Sequence, residues 1–104
     1  MLSINFEFRK GIFFIRLIGD LNRETSSKKG KEIIKIIEEN KFKYIVINTN
    51  YLRTIDMTGI IYLSNMYNLT IKNNSNLIIC DKFKVIKNII NLNVPNIENE
   101  IEVL

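Results

Sequence analysis

Two short, unbroken apolar runs, Tyr44-Ile45-Val46-Ile47 and Leu77-Ile78-Ile79-Cys80, most constrain the fold of this chain. Each is bounded by polar clusters and is too short to be a helix. Such runs read as strands buried on both faces, and strands of that kind need layers packed against the sheet. Upstream of the first run, Ile33, Ile34, Ile36 and Ile37 recur at helical spacing and give one buried face. Thr25, Ser26 or Ser27 would cap that helix, which ends near Asn40, and Gly30 in its first turns weakens it slightly. Buried strands joined through helices are parallel, crossover-connected units.

The rest of the chain completes an α/β pattern. Asn5 to Phe8 alternates, Lys10-Gly11 reads as a turn and Ile12 to Ile18 as a strand, which together predict a hairpin ended by Gly19-Asp20-Leu21-Asn22. Asn48 to Ile55 reads as a loop. A second helix follows from Met57 to Ile71 or Lys72, with Asp56 as its N-cap and Asn73-Asn74-Ser75 as its break. A third covers Phe83 to Leu92, with Ile86, Ile89 and Ile90 inward, before Pro95. Ile97, Ile101 and Val103 alternate with Glu98, Glu100 and Glu102, the pattern of a last strand with one wet face. The expected order is β-β-α-β-α-β-α-β, a central mixed, largely parallel sheet flanked by helices, forming a single domain over residues 1–104.

Composition narrows the function classes. A chain of 104 residues, 46% hydrophobic and 25% charged, can build one core without disulfides or metal. No apolar run approaches the roughly 18 residues of a membrane span, and the alternating N-terminus does not resemble a secretory leader, so no membrane insertion and a cytosolic location are expected. The single cysteine, Cys80, reads as a small buried hydrophobe. Histidine is absent, which removes His-based triads, the commonest general base and His-bearing zinc sites. No enzymatic role, cofactor or metal is therefore expected. Net charge is +4; setting aside Glu98, Glu100 and Glu102 from the 11 acidic residues leaves 8 against 15 basic ones, or +7 over residues 1–97. The lysines are scattered and no aromatic-basic motif accompanies them, so a solvated surface is favoured over direct nucleic-acid binding.

The candidate site is Thr54-Ile55-Asp56-Met57-Thr58-Gly59. The Asp56 carboxylate can accept from the unpaired N–H groups of the helix it caps, at the positive end of the macrodipole. Placing the helix at 100° steps puts Ile60, Leu63, Ser64, Tyr67 and Ile71 on an expected core stripe. Thr58, Tyr62, Asn65, Met66 and Leu69 fall opposite, and Tyr62, Met66 and Leu69 read as a stripe facing another protein or a second copy.

With those segments in place the sequence resembles the STAS domain family, specifically the bacterial anti-sigma factor antagonists. Gly19-Asp20-Leu21-Asn22-Arg23-Glu24-Thr25 is similar to the family's Gly-Glu-Leu-Asp-x-x-Thr segment, and Tyr44 to Asn48 to its third strand. Ile55-Asp56-Met57-Thr58-Gly59-Ile60 is similar to its Asp-Ser-Ser-Gly-Leu signature, and Leu77–Cys80 with Ile86, Ile89 and Ile90 to its fourth strand and third helix.

The resemblance implies the STAS fold, with the family's C-terminal fourth helix absent or vestigial here and the third-helix face free for dimerisation. It implies an anti-sigma factor, usually a serine kinase, as protein partner, with a homodimer as a further association. It implies a partner-binding surface of Asp20, Asn22, Arg23, Thr25, Thr54, Asp56, Met57, Thr58, Gly59 and Tyr62. The family's kinases phosphorylate the hydroxyl residue directly after the signature Asp; that position is Met57, so Thr58 is the substitute acceptor. Asn22 stands where the family has its second acidic residue. The alternative is a non-phosphorylated STAS subunit of another complex, such as a lipid-transport ATPase or a stress-signalling assembly. A receiver-type phosphoacceptor role for Asp56 is disfavoured, because the expected strand ends near Asn48 and both the acidic pair and the late lysine of receivers are missing.

Overall fold

The structure, a computed structural model, describes residues 1–86 and 94–104. Its elements are β1 (Leu2–Arg9), β2 (Ile12–Leu21), α1 (Arg23–Glu39), β3 (Tyr44–Ile55), α2 (Met57–Lys72), β4 (Asn76–Cys80), β5 (Asn96–Ile97) and a single 3-10 turn (Glu100–Val103). The strands form one sheet in the order β1-β2-β3-β4-β5, antiparallel between β1 and β2 and parallel elsewhere. The hairpin closes on Lys10 and Gly11, at φ 53° and 80°. Two consecutive left-handed residues give the turn whose twist matches paired strands.

Residues of β2 alternate between two cores. Phe13, Ile15, Leu17 and Leu21 join Ile33 and Ile37 of α1, Tyr62, Leu63 and Met66 of α2, and Ile45, Ile47, Leu77 and Ile79. α1 and α2 thus pack on one sheet face. On the other, Phe14, Val46 and Cys80 are covered by Ile97 and Val103 of the C-terminal segment. Cys80 is buried as expected, and burial, with Glu100, Glu102 and Asp81 nearby, pushes its thiol up to about 11. No described helix is long and apolar enough to cross a membrane.

Several expectations are corrected. The segment Asn48–Ile55 is not a loop but the second half of β3, which follows β2 to its end, pairing Ile18 with Tyr51 and Leu21 with Ile55 across two register shifts. The α1 cap is Asn22, not the later Thr-Ser-Ser; Asn22 Oδ1 accepts from Thr25 N–H (3.0 Å) and its own N–H donates to Thr25 Oγ1 (2.9 Å). This reciprocal box satisfies two donors at once, which a cap further along cannot do here.

The supposed partner-facing stripe on α2 is core. Tyr62 and Met66 are buried and Leu69 is half-buried against the same core, whereas Ile71, expected inside, is 53% exposed. The cause is Gly30. A Cβ there would lie 2.5 Å from Tyr62 Cε1, so its absence opens the groove that takes the ring, and the hydroxyl donates to Gly30 O (2.7 Å). α2 therefore packs on α1 as well as on the sheet, which turns its buried arc away from the expected stripe.

The last strand is only Asn96–Ile97. Beyond it the Glu102 carboxylate accepts from the N–H groups of Glu98 (2.7 Å) and Asn99 (2.9 Å), folding the alternating tail into a turn. Glu100, expected on a wet face, lies on the second sheet face. Its carboxylate takes Arg16 Nε (2.8 Å), Arg16 Nη2 (2.6 Å) and Asn48 Nδ2 (2.7 Å). The expected third helix falls mostly on residues outside those described. At its start, Asp81 accepts from the N–H groups of Val85 (3.1 Å) and Ile86 (2.9 Å).

Candidate functional site

Parallel pairing of β2 with β3 brings two strand ends and two helix starts to one place. Asp20 lies beside Thr54 and Leu21 beside Ile55, so the caps that follow, Asn22 and Asp56, become neighbours. Asp56 joins them. Its N–H donates to Leu21 O (3.2 Å), its Oδ1 accepts from Gly59 N–H of α2 (2.8 Å), and its Oδ2 accepts from Arg23 N–H of α1 (3.2 Å). One carboxylate thus satisfies donors at both helix starts, where both macrodipoles are positive.

Gly59 allows that approach. A Cβ on it would fall inside the van der Waals shell of Leu21 O and 3.0 Å from Ile55 Cγ1. The first turn of α2 rests against the end of β2 with no room for a side chain. Met57 and Thr58, the two residues before that contact, are exposed, Met57 to 65%.

Asp20 forms a second knot next to the first. Its carboxylate takes Arg53 Nε (3.1 Å) and Nη2 (2.6 Å), Thr54 Oγ1 (2.7 Å) and the amino group of Met1 (3.0 Å). Arg53, then Thr54 and the amino group, stabilise its charged form and hold it well below the usual carboxylate range; Asp20 in turn raises Arg53. The Arg53 side chain stays 77% exposed, so the knot presents a cation to solvent.

Eight of the ten expected site residues meet at this junction: Asp20, Asn22, Arg23, Thr54, Asp56, Met57, Thr58 and Gly59. Thr25 reaches it only from within, buried and donating to Asp20 O (2.8 Å). Tyr62 is not at the surface at all. Arg53 also belongs to the site, although the sequence alone puts it in a loop; it lies where β3 carries one extra residue between the Gly19–Leu52 and Asp20–Thr54 pairs, which no local pattern signals. A cleft of about 150 Å³ opens next to it, between the end of β3 and the loop after β4, with Arg53, Thr54, Asp81 and Phe83 on its walls. Among the described residues no group of three or more carboxylates and thiols is placed to hold a metal ion.

A family model for the STAS domain matches residues 3–100. The chain belongs to the STAS domain family. An anti-sigma F factor antagonist of Paenibacillus polymyxa is 22% identical over 108 residues, covering 99% of this chain and 92% of that protein. Among solved structures, the unphosphorylated anti-sigma factor antagonist SpoIIAA superposes with a TM-score of 0.79 at 15% identity, over 97% of this chain and 93% of that one. An anti-sigma factor antagonist from Mycobacterium paratuberculosis gives 0.77 at 13%, over 98% and 90%. The expected fold is thus the observed one. Within this STAS domain, Asp56-Met57-Thr58-Gly59 occupies the outward corner of the junction.

The receiver reading also needs its spacing revised. β3 ends at Ile55, directly before Asp56, not near Asn48. The carboxylate is nevertheless committed to two backbone donors rather than to a metal cluster.

Proposed function

We propose that this STAS domain is an anti-sigma factor antagonist, a protein-binding regulator with no reaction of its own, and that it docks its partner on the β2–α1 and β3–α2 junction. The observation that carries the reading is the Asp56 bridge. It presents Met57, Thr58 and Arg23 from two helices at a fixed spacing, on a surface flanked by the exposed Arg53 guanidinium. A rigid corner of this kind is preorganised for docking, since the partner need not pay to order it. The relatives named as anti-sigma factor antagonists support an anti-sigma factor as the partner class; that it is a serine kinase is part of the proposal.

Met57 has no hydroxyl, so a phosphoryl group cannot be placed directly after Asp56. Thr58 carries the one hydroxyl in the segment Met57–Gly59, and phosphorylation of that turn falls on it. Such a group would bring a charge of about −1.5 to −2 beside Asp56 and repel it. Binding itself does not depend on this step. The test is capture on the immobilised chain from the lysate of its own cell, followed by incubation of the captured partner with chain and ATP and intact-mass measurement. The expected result is an anti-sigma factor on the resin, with any added phosphate on Thr58 alone. Capture of a transporter ATPase or stress-complex subunit instead, with no anti-sigma factor, would favour the non-phosphorylated subunit reading that Met57 also fits.

A further inference from the structure

The two edges of the sheet are unlike. β5, on one side, is two residues long and gives way to a turn. β1, on the other, runs eight residues in unbroken register with β2, and no strand among the described residues lies beyond it. Asp20 N–H donates to Met1 O, and Arg9 pairs with Ile12 across the two-residue turn. The odd-numbered residues of β1 therefore point their backbone groups at β2. By the alternation of an antiparallel ladder, Leu2, Ile4, Phe6 and Phe8 point theirs at the open edge.

Natural sheets protect such edges with lysine, proline, bulges or brevity. β1 has no Lys, no Pro and no register shift. Its even face is apolar throughout and ends in Phe8, 63% exposed, with a tilted ring contact to Phe42. Its two charges, Glu7 and Arg9, share the other face.

We propose that β1 pairs antiparallel with β1 of a second copy of this chain, making one continuous sheet across a two-fold axis at Phe6. The pattern selects the partner and, together with the length of the ladder, the register: an axis at Phe8 would pair only residues 7–9 of β1. Edge backbone groups must meet edge backbone groups, so only even residues can face even residues. With the axis at Phe6, Ile4 opposes the partner's Phe8, Asn5 the partner's Glu7 and Ser3 the partner's Arg9. Apolar meets apolar, each charge meets a neutral polar side chain, and the exposed Phe8 ring is covered from both sides. Moving the axis to Glu7 sets the two Glu7 carboxylates opposite each other. Moving it to Asn5 sets Arg9 against Met1, whose amino group already binds Asp20.

Sedimentation velocity on the full chain, followed up to high concentration, reads the association. Disulfide trapping reads the register. Ser3 and Arg9 are exposed, and opposed odd residues form the close, non-hydrogen-bonded pairs of the new ladder. An oxidised equimolar mixture of the Ser3→Cys and Arg9→Cys variants should give a covalent dimer, and neither variant alone should. Buried Cys80 provides no competing thiol. Phe8→Lys should weaken the dimer at least about tenfold while the melting curve shows a folded chain. A chain that stays monomeric at every concentration overturns the proposal. So does a dimer indifferent to Phe8→Lys, or one that crosslinks Ser3→Cys with Glu7→Cys in place of Arg9→Cys.

Discussion

Helix propensity and local packing make opposite predictions for Gly59→Ala. Propensity alone favours the variant, because alanine is better than glycine in a helix by about 1 kcal/mol. Packing opposes it. The new methyl would overlap Leu21 O and press on Ile55 Cγ1 at 3.0 Å, and the main obstacle is backbone rather than a side chain that can turn away. Overpacking of this kind costs about 1–3 kcal/mol. Relief requires the first turn of α2 to lift from β2, lengthening the Asp56 N–H to Leu21 O bond and the Arg23 N–H to Asp56 Oδ2 bond, both already 3.2 Å. Loss of a capping contact adds about 1 kcal/mol. The expected net destabilisation is about 1–3 kcal/mol, a fall of about 5–15 °C in Tm for a chain of this size. Urea and thermal unfolding followed by circular dichroism measure it. A Gly59→Ala variant as stable as the parent, or more so, would refute the close approach of α2 to β2.

Other outcomes follow from the same contacts. Asp56→Ala should cost about 1–2 kcal/mol by removing acceptors from two helix starts, and Asp56→Asn should recover part of this, both read by chemical denaturation. Tyr62→Phe should cost about 1 kcal/mol through the lost bond to Gly30 O and leave partner affinity unchanged, a combination that titration calorimetry with unfolding curves can check. The Arg16 guanidinium, with help from Asn48, holds the Glu100 carboxyl below its ordinary value. A carboxyl lowered by folding stabilises above its unfolded value, near about 4.3, and that contribution is lost as pH falls through the lowered folded value. Glu100→Gln should therefore cost about 2 kcal/mol at neutral pH and flatten the acid limb of the stability profile, measured by denaturation from pH 7 downward.

The layered fold was legible because its carriers are local: two buried four-residue runs, a glycine turn, and isoleucines at helical spacing. The Asp56 cap was equally local. What the sequence concealed depends on distant residues. β3 continues past Asn48 because β2 supplies a partner as far as Leu21, and no local property of Asn48–Ile55 reveals that. Tyr62 and Met66 looked like surface because a helical wheel assumes one buried side, while α2 meets both the sheet and α1 through a groove at Gly30. The glutamate tail imitated a strand because Arg16, 84 positions away, is invisible to an alternation count. Arg53 joined the site for the same reason: a register shift in the β2–β3 pairing, next to Asp20 and Thr54, puts its guanidinium on the Asp20 carboxylate.

The most direct measurement is the affinity of a purified anti-sigma factor from the same cell for the wild-type chain and for Met57→Glu, by titration calorimetry. The variant adds a carboxylate at the outward corner next to Asp56, on a residue 65% exposed and outside the core, so the fold should be kept. Tight binding by the wild type, without prior treatment by kinase or phosphatase, and a loss of at least about tenfold in the variant are expected if this corner is the docking surface. Equal affinity of the two chains would place the interface elsewhere, and no binding by the wild type would contradict the antagonist role.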